Sequence, residues 1–289
     1  MASMRDIKRR RESIENTEQI TKAMKLVATV KLQKARSRAE NGLPYMHYLY
    51  DTMLDVLSRV KTSLSPYLRV PDRELGKRGV ILITSNRGLA GGYNTNVIRT
   101  VVNAPELPKD DTVVYTIGRK GRDFLRFRDY DLADDYSDVI NAPLYRDAME
   151  ITSKLLQEYS EGKLESIYLA FTEFKNTITH IPHLLRLLPI DREYLESREM
   201  PVRETPMNFE PDDEEVLNEI VPQYVAGLIH GALLSSVASE NGARMAAMDA
   251  ATDNAHELAD QLSLSYNRAR QSAITQELTE IIAGSQALN

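Results

Sequence analysis

The last seventy residues constrain this chain more than any other part of it. Leu234, Ala238, Asn241, Met245, Met248, Thr252, Ala255, Ala259, Leu262, Tyr266, Ala269 and Ala273 are separated by steps that alternate between four and three. A seven-residue repeat sustained over that length lays one stripe along a helix of 3.5 residues per turn. Such a stripe closes as a left-handed supercoil against a second helix. The stripe is poor in Leu and rich in Ala and polar residues. Small seam residues let two backbones approach closely, but they bury little apolar area, so the pair is thin and wants support from outside partners. At 1.5 Å per residue, seventy helical residues reach about 100 Å. No compact domain of this size needs such a rod, and the rod itself is the expected functional object.

The matching helix lies at the other end of the chain. Ile7, Ile14, Thr21, Ala28 and Ala35 follow a step of seven, with Ile20, Met24 and Val27 beside that seam. Gly42-Leu43-Pro44 interrupts, because proline removes one intrahelical bond and crowds the preceding turn. The spacing resumes at Met46, Leu49, Met53, Val56 and Val60, which predicts a kink and not an end. Two terminal segments of matched pattern predict an antiparallel pair bracketing whatever lies between them. The expected organisation is a helix over 1–65, an α/β unit over 78–190, an extended connector over 191–211 and a second helix over 212–285. Ser65-Pro66, Pro71 and Gly76 mark a linker after the first helix, and Pro201, Pro206 and Pro211 mark the connector.

Between the helices the pattern changes. Val80-Ile81-Leu82-Ile83-Thr84 is a short continuous apolar run, as a strand buried on both faces requires. Helical segments are expected over 95–102, 120–126 and 144–159, and strands over 112–117, 134–139, 166–174 and 183–189. Strands alternating with helices of this length predict a small, mostly parallel sheet covered by helices.

Charge narrows the partners. The chain of 289 residues carries a net charge of −6, yet residues 1–40 hold eleven Lys and Arg against five acids. Asp6, Glu12, Glu15 and Glu18 interleave with those cations, and no aromatic occurs before residue 41. A helix face set against acidic protein fits better than a nucleic-acid arm, which usually adds stacking side chains. No apolar core follows Lys8-Arg9-Arg10-Arg11, so no targeting segment is expected. Residues 220–239 lack any formal charge, but Pro222, Gln223, His230, three serines and two glycines favour a helix buried by protein over a membrane span. The absence of cysteine excludes disulfides, thiolate metal sites and a cysteine nucleophile.

Candidate chemistry is thin. Ser85-Asn86-Arg87-Gly88-Leu89-Ala90-Gly91-Gly92-Tyr93-Asn94 is a glycine-rich strand-to-helix turn, where phosphates often bind, but it fits neither dinucleotide nor P-loop spacing. Gly118-Arg119-Lys120-Gly121 is no Walker motif either. His180 and His183 lack an evident third metal ligand. Asp131, Asp134, Asp135 and Asp138 read as a solvated edge, and Glu210, Asp212, Asp213, Glu214 and Glu215 as N-terminal residues of the long helix. No nucleophile, base and oxyanion donors assemble within one segment, so the expectation is a non-catalytic chain without cofactor or metal. Two alternatives stay open: a nucleotide-binding enzyme on the α/β unit, and a basic coiled-coil nucleic-acid-binding protein.

Both ends then meet in one resemblance. Asn16-Thr17-Glu18-Gln19-Ile20-Thr21-Lys22-Ala23-Met24-Lys25-Leu26-Val27-Ala28 resembles the opening signature of the gamma subunits of F-type ATP synthases. Glu240-Asn241-Gly242-Ala243-Arg244-Met245-Ala246-Ala247-Met248-Asp249-Ala250-Ala251-Thr252-Asp253-Asn254-Ala255 resembles a second signature of that family. So does the run from Tyr266-Asn267-Arg268-Ala269-Arg270-Gln271-Ser272-Ala273 through Ile281. The glycine-rich turn is similar too, with Ala90 where many members have cysteine, and no cysteine-bearing regulatory insertion is present, as in bacterial members. The resemblance implies a central Rossmann-like α/β domain on an antiparallel left-handed coiled coil. It implies a rotor turning inside a ring of three alpha and three beta subunits, joined by an epsilon subunit and seated on the membrane c ring. Proton flow through that ring would supply the turning. Met24, Arg244, Gln271 and Thr275 match positions that contact the beta subunits, and Lys25, also a beta-subunit contact, would face acidic loops of that ring together with Lys8–Arg11. Asn208, Phe209 and Glu210 match the region near epsilon and the c ring. The implied location is peripheral, on the cytoplasmic side of the cell membrane, with no span and no nucleic acid.

Overall fold

The computed structural model describes residues 4–59, 67–68, 76–190 and 213–287. The chain divides into two units, one made of Met1–Thr29 with Arg244–Asn289 and the other of Val30–Ala243. Helix α1 (Met4–Arg59) and helix α5 (Asp213–Ala287) each contribute to both. Helix α1 is helical on both sides of Pro44, as the resumed spacing predicted. The expected connector over 191–211, the linker positions 65, 66 and 71, Val60, and the foot residues Asn208, Phe209 and Glu210 lie outside the described residues.

The Val30–Ala243 unit is built on a five-stranded sheet. Its strands are β1 (Lys77–Ile83), β2 (Thr112–Ile117), β3 (Asp131–Asp135), β4 (Leu164–Phe174) and β5 (His180–Leu188), in spatial order β3-β2-β1-β4-β5. β1 pairs in parallel with β2 and β4, β2 in parallel with β3, and β4 antiparallel with β5. The apolar run in β1 reads as it should for the central strand. Ile81 and Ile83 enter one core, Val80 and Leu82 the other, and all four are wholly buried. Successive strand side chains point to opposite faces, so a strand covered on both sides must be apolar throughout.

Each face has its own cover. Helices α2 (Tyr93–Val102) and α3 (Arg119–Phe127) supply Val97, Ile98, Val101 and Leu125 to one core. Helix α4 (Tyr145–Ser160) covers the other with Ile151 and Leu155, together with Met53 and Val56 of α1 and Val221, Val225, Ile229 and Leu233 of α5. Every residue from Ile220 to Ser239 except Gln223 is buried or half-buried. The uncharged stretch is therefore a core helix covered by its own chain's sheet and first helix, although its composition passes a hydropathy test for a membrane span.

Two strand expectations shift. The weak strand expected over 134–139 is β3 at Asp131–Asp135, and Val139–Asn141 forms a 3-10 turn whose Ile140 enters the core. An edge strand half open to water carries little apolar signal, so Val139 and Ile140 drew the expectation toward themselves. Ser137 bonds Asp135 through both its N–H and its hydroxyl, and this ends the strand. β5 begins at His180, three residues before its expected start, and contains Pro182. Proline is tolerated there because β5 is the sheet's outer strand and needs no ladder donor at that position.

Candidate functional site

In the unit formed by the two chain ends, the heptad seam is real and antiparallel. Glu18 Oε1 lies 3.4 Å from His256 Nδ1, Thr252 Oγ1 donates to Thr21 Oγ1 at 2.8 Å, and Lys25 Nζ meets Asp249 Oδ1 at 2.5 Å. Residue numbers rise on one helix as they fall on the other, the mark of an antiparallel pair. Further out, the Arg11 guanidinium stands 5.9 Å from the Tyr266 ring centre. Thr21, Ala28, Met248, Ala255 and Ala259 are buried, while Ile7, Ile14, Met245, Thr252, Leu262, Tyr266, Ala269 and Ala273 are half-buried. The seam thus falls where the step of seven put it. Charged and hydroxyl pairs cross it beside small apolar residues, so the two helices touch closely without a thick apolar layer.

What the seam omits, the surface shows. Ile20 is 60% exposed, Leu26 63% and Val27 57%, on the same stretch of α1 that carries half-buried Met24. On α5, Leu258, Leu264, Ile274, Leu278, Ile281 and Ile282 are all exposed. Residues 274–283 contain no buried or half-buried position. Ile274, Leu278, Ile281 and Ile282 recur at steps of four, three and one, which sets them on a single face of the helix. Such a stripe is legible in the sequence as a second phase offset from the seam. Water-facing apolar side chains in this number are uncommon on a self-sufficient protein and mark a surface that another protein covers.

The individual site expectations fall into two groups. Gln271 and Thr275 are exposed one turn apart, Thr275 bonding the Gln271 carbonyl at 2.9 Å. Arg244 and Met24 are half-buried. Lys25, expected to face acidic loops of a partner, is half-buried and already holds Asp249 of its own chain. Lys8 and Arg11 pair with Glu12 and Glu15 one turn on, at 3.9 and 3.3 Å, and Arg9 and Arg10 are exposed. The basic run is therefore interleaved with its own acids, as its composition suggested.

At the glycine-rich turns of the α/β unit, polar groups bond to one another. The Ser85 N–H donates to Asn94 Oδ1 at 2.9 Å and the Asn86 amide nitrogen to the Ser137 carbonyl at 2.8 Å. At the start of α3, the Arg119 N–H goes to Asn86 Oδ1, the Lys120 N–H to the Ser85 carbonyl and the Gly121 N–H to Thr84 Oγ1, at 3.0, 3.1 and 2.9 Å. At the start of α3, the position where backbone donors cradle phosphate in other α/β folds, these three N–H groups are bonded within the protein itself. The two histidines of β5 do not converge on a metal. Three residues apart on a strand, they point to opposite faces, His183 pairing with Glu173 at 2.9 Å and His180 stacking on Phe174. Among the described residues no group of three His, Asp or Glu side chains could hold a metal ion.

A further set of titratable groups gathers beside α4. A groove of about 550 Å³ beside α4 is lined by Tyr136, Glu150, Lys154 and Glu158, among others. Lys154 pairs with Asp134 there, and the Tyr115 hydroxyl donates to Glu158. Burial, then the Glu158 bond, raises the Tyr115 hydroxyl far above its ordinary value, and burial beside Asp134 pushes Tyr136 up to about 12. Burial raises Asp135, but hydrogen bonds from Ser137 and Arg122 outweigh it and hold the carboxyl below its usual value. The Tyr115 and Tyr136 hydroxyls and the Asp135 carboxyl are thus shifted away from neutrality.

Comparison with known proteins agrees with this geometry. A family model described as ATP synthase matches residues 3–288. The ATP synthase gamma chain of Lachnoclostridium phytofermentans is 54% identical over the whole of both chains. That of Alkaliphilus metalliredigens is 42% identical over 99% of this chain and 98% of its own. A sodium-ion-specific ATP synthase gamma chain from Acetobacterium woodii is 38% identical over 99% of each chain. Among solved structures, a chain of the Euglena gracilis mitochondrial ATP synthase matches with a TM-score of 0.69 at 18% identity, over 99% of this chain and 94% of that one. A central stalk and c-ring structure from Tetrahymena thermophila mitochondria matches with a TM-score of 0.59 at 25% identity, over 80% of this chain and 99% of that one. A seam of small residues, an apolar outer surface and a mixed, mostly parallel sheet are thus found together with full-length similarity, and the chain belongs to the family of ATP synthase gamma chains.

Proposed function

We propose that this chain is the central-stalk rotor of an ATP synthase, turning inside a ring of three alpha and three beta subunits. In this reading the α/β unit is the foot, joined by an epsilon subunit and seated on the membrane c ring at the cytoplasmic side, and the chain itself spans no membrane. The observation that carries the proposal is the inversion of the seam: small and polar residues face inward while Ile20, Leu26, Val27, Ile274, Leu278 and Ile281 face outward. A helix pair built this way buries its outer apolar side chains only within a surrounding sleeve.

The mechanism follows from asymmetry. Two helices have no threefold symmetry, so at any angle they present different side chains to each of three surrounding catalytic subunits. Only differential contact can shift a subunit among nucleotide states, and turning the rod permutes those contacts. The hydrolytic chemistry belongs to the ring, and this chain transmits torque between ring and membrane sector. Protons are the coupling ion we favour. One relative carries a sodium-specific name.

A cross-link tests the proposal directly. The chain has no cysteine, so Arg244→Cys introduces a unique thiol on the flank of the seam. Joined by a disulfide to a facing cysteine in a beta subunit of the assembled complex, it should stop multi-turnover ATP hydrolysis, and reduction should restore it. Full turnover with the link intact would overturn the rotary reading.

A further inference from the structure

Strand β4 is longer than its neighbour. β1 pairs with it only as far as Leu82 opposite Ala170, while β4 continues to Phe174. On the other side β5 stays paired to the end, with Thr172 opposite Pro182 and Phe174 opposite His180. In an antiparallel ladder alternate residues turn their backbone groups away from the partner strand. The Thr172 N–H and C=O and the Phe174 N–H therefore point to the side that β1 has vacated, inside the core, where an unpaired backbone group is costly.

Helix α5 fills that vacancy with hydroxyls. The Thr172 N–H donates to Ser236 Oγ at 3.3 Å, the Phe174 N–H donates to Ser235 Oγ at 2.8 Å, and Ser239 Oγ donates to the Thr172 carbonyl at 3.3 Å. Ser236, Ser239 and Thr172 are buried and Ser235 is half-buried. Positions 235, 236 and 239 share one face of the helix. Three serines on that face thus take the place of the missing strand.

We infer that Ser235, Ser236 and Ser239 form the joint that transmits torque between the sheet and helix α5, an inference that rests on the rotor reading above. Hydrophobic contact is non-directional, so the apolar side chains that also join α5 to the sheet resist separation more than they resist sliding or turning of the helix about its axis. Hydrogen bonds demand distance and angle together. Three of them, to two residues of one strand, fix both the axial position and the rotational phase of the helix. Gly242 reinforces the fit one turn further on: a Cβ there would come within 2.8 Å of His180 Cε1, so the helix passes close over the β4–β5 hairpin. Helix α5 continues without a break to Ala287. The three serines are positioning residues: they touch no nucleotide, and act by holding one element against another.

The test uses the assembled, membrane-reconstituted complex carrying S235A/S236A/S239A. Alanine keeps the helix and removes only the hydroxyls. Amide exchange at Thr172 and Phe174 should quicken by about tenfold, as loss of one hydrogen bond each implies, while amides in the middle of β1 keep their protection. Angular fluctuation of a probe on the foot, with the ring held, should at least double in variance, and ions pumped per ATP hydrolysed should fall by about half. ATP hydrolysis without an ion gradient should change less than twofold. Faster exchange with unchanged fluctuation and pumping would overturn the inference and leave the serines a purely structural role. If the triple variant fails to assemble, S235A alone is read by the same measurements, with S235T expected to restore the wild-type values; no change in S235A, or no rescue by S235T, would also overturn it. Failure of the rotor reading itself registers separately, as turnover that continues through the Arg244→Cys cross-link.

Discussion

Gly118→Ala should be far more damaging than an alanine substitution at an equally unusual glycine elsewhere in the same unit. Gly118 adopts φ +108°, and a Cβ built there lies 2.1 Å from the Thr84 carbonyl oxygen, 2.5 Å from its carbonyl carbon and 2.7 Å from its Oγ1. The obstacle is backbone at the end of the central strand, which cannot swing aside as a side-chain tip can. Thr84 is also pinned, its N–H bonded to the Ile117 carbonyl at 2.7 Å and its Oγ1 accepting the Gly121 N–H at 2.9 Å. A side chain forced into this conformation costs about 1–3 kcal/mol, and overpacking about 1–3 kcal/mol more. The expected loss is about 2–6 kcal/mol, a large share of the roughly 5–15 kcal/mol that holds a domain together. Gly162 is the control: its φ is +74°, but a Cβ there meets nothing within 4 Å. Gly162→Ala should cost only the conformational term, about 1 kcal/mol. Urea unfolding of the purified chain, followed by the emission of its fourteen tyrosines in the absence of tryptophan, measures both. Unfolding free energies of the two variants that differ by less than about 1 kcal/mol would refute the steric argument.

Three further outcomes follow from the same structure. Burial lowers the pKa of His180, with a Thr177 backbone bond opposing, and lowers that of His230, with Asp147 opposing, both from 6.5. The unfolded chain then takes up protons first, so stability should fall as pH drops below about 6.5; urea midpoints from pH 7.5 to 5.5 should show this slope, and H180Q/H230Q should flatten it. Lys25→Ala should cost less than about 1 kcal/mol, because the Lys25–Asp249 pair is half open to water; a thermal melt giving a much larger loss would contradict that assignment. Replacing Ile274, Leu278, Ile281 and Ile282 by Ser should leave the isolated chain's melting temperature unchanged, since all four are exposed. Each buried aliphatic side chain contributes about 1.5–3 kcal/mol, so partial burial in a sleeve implies at least about a tenfold loss in affinity for the alpha-beta ring, readable by co-sedimentation.

Periodicity made much of the molecule legible before any coordinates. The steps of four and three placed the seam residue by residue, because a position's burial in a two-helix pair depends only on its angle around the helix. The run at Val80–Ile83 identified the central strand for a similar reason: a strand covered on both faces has no polar alternation to hide in. β3 was misplaced because an edge strand needs little apolar surface, and Asp131, Asp134 and Asp135 say more about water than about the sheet. Lys25 shows a different limit. Its charge names no particular acid, and only the coiled-coil register brings Asp249, 224 residues away, within 2.5 Å.

The serines mark the boundary between the two kinds of knowledge. In the sequence, Ser235, Ser236 and Ser239 were only polar interruptions in an uncharged stretch, weighing against a membrane span. Their use depends on β4 outrunning β1, a fact about strand lengths and pairing that no local pattern encodes. Sequence alone determined which faces are apolar and at what period, since each residue's solvation preference acts wherever the chain folds. Tertiary structure alone decided which hydroxyl meets which backbone group, because hydrogen bonds form between neighbours in space, and the chain's ends and middle become neighbours only on folding.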